Sequence, residues 1–306
     1  MIDSKFLTFL SLCETRNYTK TAELLYVTQP SVTNHIKSLE KIYNVKLFTS
    51  NTKNFKLTPE GELLYRYVLQ LKALDAQFDR MLAATESQRE QITFSATKNI
   101  VNGYLKYILS TWSKKNKEIN YCLNVKEYDE ILEELNQGLI DFAIIDNRFN
   151  KKNYQVIQLH KTSLVLAVNK KHPLAKHTRV SFDQLTKERF VLDIKGTGKR
   201  DFFESELRLH NRNIKDFFNL IEVNCPKTIC DLVKSGELIS VFYRSEIEDE
   251  IKSGKLIPIE IIEVSNSVDF CLIFNKNHLS TKLIEKIALE YEKLYNEVNY
   301  LKYTSS

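Results

Sequence analysis

Gln29, Thr33, Asn34, Lys37 and Lys41 fall at helical spacing, so a helix through them gathers all five on one face. Each of these side chains hydrogen-bonds or carries positive charge, and none is a carboxylate. Such a face suits the major groove of a duplex, where base edges offer donors and acceptors and the walls are phosphates. Val32, Ile36 and Leu39 follow at i, i+4 and i+7 on the other side and turn that face inward. Thr28 is placed to cap the helix by accepting from the Ser31 N–H. Pro30 then lies in the first turn, where its missing N–H costs no helical bond. An amphipathic helix with a merely solvated face has the same pattern, and the neighbouring stretches decide between the two. A second set of candidates lies in three turns: Thr97-Lys98-Asn99-Ile100, Gly196-Thr197-Gly198-Lys199-Arg200 and Asn224-Cys225-Pro226-Lys227-Thr228. Hydroxyls, lysines and free N–H groups at helix starts attract anions, although ordinary solvated turns share this composition.

The chemistry of an enzyme is harder to find. The sequence holds no HExxH, no GxSxG and no phosphate-binding glycine loop, and glycine is scarce at 7 residues. His172 and His177 stand five apart around a proline, a poor zinc spacing. Asp141 and Asp146 flank an apolar strand and read as strand-end carboxylates facing water. No catalytic residue, metal or cofactor is therefore expected. The five cysteines, Cys13, Cys122, Cys225, Cys230 and Cys271, form no CxxC pair. They read as free thiols in a reducing cytoplasm. Cys225 and Cys230 are close enough in sequence to form a redox pair, but buried, inert thiols are the simpler expectation.

At 306 residues and a net charge of +5, the chain has room for two or more cores and a mildly basic balance. No apolar run reaches membrane-spanning length. The N-terminus enters a helical pattern at once, without a signal-peptide h-region, so a cytoplasmic location is expected. Phe6, Phe9, Leu10, Leu12 and Cys13 mark a first helix. Thr19 is expected to cap a second, and Tyr26-Val27-Thr28 turns into the third. This is helix-turn-helix order, in which the third helix reads the groove. Leu47-Phe48 and Phe55-Lys56-Leu57 form a β-wing around a polar turn. From Ser31 to Glu60 five lysines, including Lys37 and Lys53, stand against two glutamates. Thr58-Pro59 then starts a long helix. In it Leu64, Tyr67, Leu71, Leu74, Phe78 and Met81 recur with a period near 3.5, the seam of a coiled coil and a predicted dimerisation surface. Thr85 to Arg89 reads as a hinge. Beyond it strand and helix patterns alternate to a last helix through Leu283 and Leu294, which predicts an α/β fold with parallel sheets.

The ordered run Phe6…Phe9…Cys13-Glu14…Asn17-Tyr18…Thr21-Ala22-Glu23…Val27-Thr28-Gln29-Pro30-Ser31-Val32-Thr33…Ile36-Lys37…Leu47-Phe48…Leu57-Thr58-Pro59-Glu60-Gly61 closely resembles the DNA-binding domain of LysR-type transcriptional regulators. Two positions depart from the family: Asn34 and Ser50 stand where arginine is usual. Looser likenesses follow at His172-Pro173-Leu174-Ala175, Val233-Lys234-Ser235-Gly236 and Gly254-Lys255-Leu256, with Tyr243 where many members have proline. The resemblance implies a winged helix-turn-helix domain at 1–58, a linker and dimerisation helix at 59–88 and an effector-binding domain at 89–306. That last domain is expected to be two α/β lobes like periplasmic solute-binding proteins, lobe I near 91–161 and 268–306 and lobe II near 162–267. The chain would cross between them near 161–163 and 265–268.

The combined expectation is a cytoplasmic, non-enzymatic DNA-binding transcriptional regulator. Its DNA contacts are Thr28, Gln29, Pro30, Ser31, Thr33, Asn34, Lys37 and Lys53, with Lys37 and Lys53 on phosphates. By resemblance, a small effector, expected to be an anion and most simply a carboxylate, binds between the lobes at Thr97, Lys98, Asn99, Thr197, Gly198, Lys199 and Thr228. Partners implied are double-stranded DNA bearing an imperfect palindrome, further copies of the chain as dimer or tetramer, and RNA polymerase in the case of an activator. Two other readings stay open from the sequence: a solute-binding or carrier protein, and an enzyme with a DNA-binding appendage. The helix at 29–40 argues against the first, and the lack of a catalytic constellation against the second.

Overall fold

The computed structural model describes residues 2–49, 55–87, 90–146, 154–217, 219–264 and 267–303. They form two compact units: Met1–Gln88 with residues 133–139 and 277–279, and the remainder. The first unit begins with α1 (Ser4–Thr15), α2 (Tyr18–Leu24) and α3 (Gln29–Tyr43). Phe9, Leu12, Ile36, Leu39, Leu47 and Val68 meet in its core, so the apolar face of α3 points inward as its spacing predicts. The Thr28 hydroxyl accepts from the Ser31 N–H at 3.3 Å. Helix α2 starts two residues earlier than expected: Asn17, not Thr19, is its cap. Its Oδ1 accepts from both Thr19 and Lys20 N–H groups, at 2.9 and 3.0 Å, which a threonine inside the first turn cannot do.

Phe48 and Leu57 pair in an antiparallel bridge, as the wing requires. The Thr49 N–H donates to the Lys56 carbonyl at 2.9 Å. The wing tip, residues 50–54, lies outside the described residues, and Ser50 and Lys53 with it. Helix α4 (Pro59–Ser87) starts where Thr58-Pro59 predicts, with the Thr58 hydroxyl accepting from the Gly61 N–H at 3.0 Å. A Cβ at Gly61 would run into the Leu47 carbonyl, so only glycine lets the helix approach the wing this closely. The expected hinge at 85–89 is helical as far as Ser87 because α4 carries on through it; residues 88 and 89 lie outside the described residues.

The second unit runs β1 (Glu90–Ala96), α5 (Lys98–Ile100), a π-helical turn (Val101–Leu105), α6 (Lys106–Lys115), β2 (Ile119–Val125), α7 (Tyr128–Gln137, counted with the first unit from residue 133 on), β3 (Phe142–Asp146) and β4 (Tyr154–Asn169). It continues with β5 (Arg179–Val180), α8 (Phe182–Leu185), β6 (Arg189–Asp193), α9 (Gly198–Leu209), β7 (Asn219–Val223) and α10 (Pro226–Ser235). It ends with β8 (Ser240–Tyr243), α11 (Glu248–Lys252), β9 (Leu256–Ile261), β10 (Ser267–Asn275) and α12 (Thr281–Tyr303).

The sheets are mixed rather than purely parallel. β1 pairs in parallel with β2 and β3, but β10 lies antiparallel between β3 and β4. The reason is β4. Its first part pairs with β10, and its second, from Leu164 on, pairs antiparallel with β8 and β9. One uninterrupted strand thus serves both halves of the unit, and β10 returns beside it with Ser267 opposite Ser163. Parallel βαβ pairing persists on either side, in β1–β2 and in β6–β7. One apolar core around Phe94, Trp112, Phe142, Leu166, Phe190 and Phe203 runs through both halves. A smaller one joins Val165, Val191, Ile229, Val233 and Phe242 under α10.

Candidate functional site

Helix α3 leaves Gln29, Pro30, Asn34, Lys37 and Lys41 exposed, with Ser31 and Thr33 half-buried at the edge of that face. Local bonds stiffen its first turns. Thr28 and Ser31 hydroxyls bond at 2.8 Å, and the Thr33 hydroxyl donates to the Gln29 carbonyl at 3.1 Å. Glu40, the carboxylate within α3, is engaged. One oxygen takes the Leu47 N–H at 3.0 Å and the other the Lys46 ammonium at 2.8 Å, tying α3 to the wing. What remains is a face of amide, hydroxyl and cationic groups, able to bond base edges and phosphates together. Tyr26, in the turn before α3, was not legible as a site residue. It sits at a left-handed φ of 55° and is 96% exposed, an aromatic with no packing role beside the reading helix.

On α4 the seam divides. Leu64 is buried in the core of the first unit with Val68, so it belongs to the domain and not to a dimer surface. The 3.5 period could not separate it from its neighbours because the helix packs one face on its own domain before it presents the other. Leu63, Tyr67, Phe78, Met81 and Leu82 are exposed, while Leu71 and Leu74 are half-buried. The outward apolar stripe therefore runs 63, 67, 71, 74, 78 and 81.

In the second unit the three turns meet different fates. Lys98 reaches across to the other lobe: its ammonium lies 2.9 Å from Glu127 Oε1 and 2.7 Å from Asn224 Oδ1. Asn99 is buried beside it, and its Oδ1 has no hydrogen-bond partner. Thr97 precedes α5 without a side-chain cap bond. Thr197, by contrast, is already used: its hydroxyl donates to the Ile194 carbonyl at 3.0 Å. Gly198 opens α9. Lys199 is a correction. Expected to face an effector, it is fully buried, with its ammonium 3.1 Å from Asp193 and 2.8 Å from Glu246. Burial in low dielectric demands such partners; Asp193 ends the strand just before the turn, and Glu246 comes from a segment 47 residues on.

Thr228 also differs from expectation. Its hydroxyl and N–H bond the Cys225 sulfur and, with Lys98 nearby, hold that thiol below its ordinary range. Cys225 and Cys122 are exposed, against the expectation of buried thiols. Cys230 is buried, and burial pushes its thiol up to about 12. On α6, beyond the turn that carries Lys98, Lys106 and the Tyr107 hydroxyl both bond Asp249, at 3.0 and 2.5 Å. Between these two cross-lobe contacts lies the π-helical turn, kinked at Gly103, whose Cβ would come 3.3 Å from the Ser245 carbonyl. Such π segments concentrate at functional sites. Among the described residues no group of acidic, histidine or cysteine side chains is arranged to hold a metal. Among the described residues no helix is long and apolar enough to cross a membrane.

Comparison with known proteins agrees with this geometry. Residues 4–62 match the bacterial regulatory helix-turn-helix proteins of the lysR family, and residues 85–288 match the LysR substrate binding domain. The HTH-type transcriptional regulator CysL of Bacillus subtilis is 26% identical over 279 residues, covering 91% of this chain and 90% of CysL. Among solved structures, a hydrogen peroxide-bound cysteine mutant of Corynebacterium glutamicum OxyR superposes with a TM-score of 0.62 at 19% identity, covering 99% of this chain and 95% of its own. Full-length CbnR in complex with its target DNA superposes at 0.54 and 17% identity, covering 96% and 99%.

Proposed function

This chain belongs to the LysR family of DNA-binding transcriptional regulators with an effector-binding domain, and from that premise we propose which residues bind DNA, join copies of the chain and sense the effector. The observation that carries the proposal is the exposed carboxylate-free face of α3 beside a basic wing. Thr28, Gln29, Pro30, Ser31, Thr33 and Asn34 address the major groove, Asn34 reading adenine through its amide. Lys37 and Lys53 hold phosphates, and Tyr26 packs on the backbone at the groove edge. The operator is an imperfect palindrome, because the outward stripe of exposed Tyr67, Phe78 and Met81 with half-buried Leu71 and Leu74 joins two copies about a two-fold axis. Pairs of dimers make a tetramer, and an activator of this design also touches RNA polymerase. The chain acts in the cytoplasm.

The effector is a small anion bound at Thr97, Lys98 and Asn99. A carboxylate there replaces Glu127 and Asn224 as the partners of Lys98. Exchange of these partners shifts the lobes only by as much as the two arrangements differ in affinity for the ligand.

The test is DNA affinity against salt, for wild type and Lys37→Ala. Wild type should lose affinity steeply with salt, and Lys37→Ala should lower the slope by about one while weakening all sequences alike. Affinity independent of salt, or a slope unmoved by the mutation, removes Lys37 from the phosphate contacts. For the effector, calorimetry of the full chain with small carboxylates should give binding that Lys98→Ala abolishes.

A further inference from the structure

The first turn of α9 buries an ion cluster whose charges do not balance. Two carboxylates, Asp193 and Glu246, share the single ammonium of Lys199 at 3.1 and 2.8 Å, and none of the three side chains is more than 5% exposed. The ammonium also lies over the Phe242 ring, 4.6 Å from its centroid. The adjacent Arg200 does not help: its guanidinium bonds Glu204, Glu222 and the Asp193 backbone carbonyl instead. The shortfall falls on Glu246, whose Oε2 takes the Lys199 ammonium while its Oε1 is buried with no partner. Burying a charged oxygen without a donor is costly, and a proton removes the charge. Lys199 is not the group that gives way. Burial works against its charge, but Asp193 and Glu246 hold it above the ordinary lysine value. One proton on Glu246 makes the trio neutral.

The other charged groups around Glu246 are engaged elsewhere. Lys106 of α6 pairs with Asp249 of α11, and Lys234 of α10 with Asp231 and Glu250. Lys227 stands one turn from Asp231 on α10, and Arg244 is exposed. Glu246 ends a short 3₁₀ turn (Arg244–Glu246), and the residue before it touches the other lobe. The Ser245 N–H donates to the Thr162 hydroxyl of β4 at 3.5 Å, that hydroxyl donates to Ser245 Oγ at 3.4 Å, and the Ser245 carbonyl lies against Gly103 of the π-helical turn. Neither Thr162 nor Gly103 titrates. We infer that Glu246 is a proton switch for this contact: with the proton on, the trio is neutral and the turn 244–246 stays seated on β4 and the π-helical turn; with it off, a net negative charge is left in the interior and the turn unseats to bring Oε1 to water. A cavity of about 220 Å³, bordered by Glu246, Asn102 and Lys106, offers room for that movement. Burial pushes the Glu246 carboxyl up to about 7, with Lys199 pulling it down and Asp193 adding to the rise. Because this exceeds the ordinary 4.5, the stability that the proton confers is full below about 4.5 and is lost as the pH rises through about 7. The switch needs neither the anion at 97–99 nor DNA.

The experiment compares the full-length wild type with Glu246→Gln, an uncharged match for the protonated side chain, in thermal unfolding and amide hydrogen exchange across pH. The gap in melting temperature should widen in favour of Glu246→Gln by about 3 °C or more between about pH 5 and about pH 8, then level off. Taking the gap subtracts the titration of every other group. In wild type the protection of amides 101–105 and 244–247 should fall at least about threefold over the same range, and in Glu246→Gln it should hold level. Asp193→Asn removes the other carboxylate and leaves Glu246 and Lys199 as a matched pair, so it too should hold protection level. That variant decides alone if Glu246→Gln does not fold. A gap that stays constant, a fall in protection that persists in Asp193→Asn, or a fall shared equally by wild type and Glu246→Gln overturns the assignment.

Discussion

Helices α3 and α9 begin alike and serve opposite ends. Each follows a threonine, Thr28 or Thr197, and each carries lysine on a face that sequence patterning marks as polar. In α3 the threonine caps the helix and the lysines stay in water. In α9 the threonine turns back to Ile194, and Lys199 and Arg200 disappear into ion pairs with Asp193, Glu246, Glu204 and Glu222. The difference is coverage. α3 lies at the edge of a small helical domain, where one face packs and the other meets solvent. α9 starts against the end of β6 and the segment 244–246, which close over its first turn. Cationic residues at a helix start therefore report binding capacity only where nothing in the protein gets there first.

Removing the lysines should separate the two helices most sharply. Lys199→Ala leaves two buried carboxylates without their cation and should cost about 3–5 kcal/mol in urea unfolding. Lys37→Ala should stay within about 0.5 kcal/mol of wild type in the same measurement. Comparable losses for both would place Lys37 in a structural role or Lys199 near solvent. Helix α4 offers the same contrast along one element. Leu64→Ala should destabilise the chain by about 2–5 kcal/mol through the cavity it leaves. Replacing the exposed or half-buried Leu74 and Phe78 together with aspartate should spare the fold of a single copy and abolish association, read by sedimentation. An unchanged oligomer in that double variant would take the stripe out of the interface.

Finer changes test α3 itself. Asn34→Arg should cost about 1–3 kcal/mol on the original operator and move the preference at one base from adenine toward guanine, read by binding-site selection. Identical preferences would exclude Asn34 from base reading. The smallest effect is expected at the cap. Thr28→Ala should cost about 0.5–2 kcal/mol of stability, while Thr28→Ser, which keeps the accepting oxygen, should cost less than half of that. Equal losses would assign the effect to packing of the threonine methyl rather than to the cap bond.

Much of the first unit was legible in the sequence because its determinants are local. The cap at Thr28, the start at Thr58-Pro59, the inward face of Val32, Ile36 and Leu39 and the pairing of Phe48 with Leu57 each depend on residues within one or two turns. The same holds for most strands and helices of the second unit, whose periodicity survives in the structure. Tertiary structure decided what periodicity leaves open: that β10 runs antiparallel to β4, that β4 serves both lobes, and that Leu64 faces its own domain. It also decided that Lys199 is spent on Asp193 and Glu246 while Lys98 reaches Asn224, more than a hundred residues away. A charge's availability depends on the sum of its neighbours in space. That sum is set by chain segments whose meeting no local pattern records, and so Glu246 became visible only once the fold had gathered two carboxylates around one ammonium.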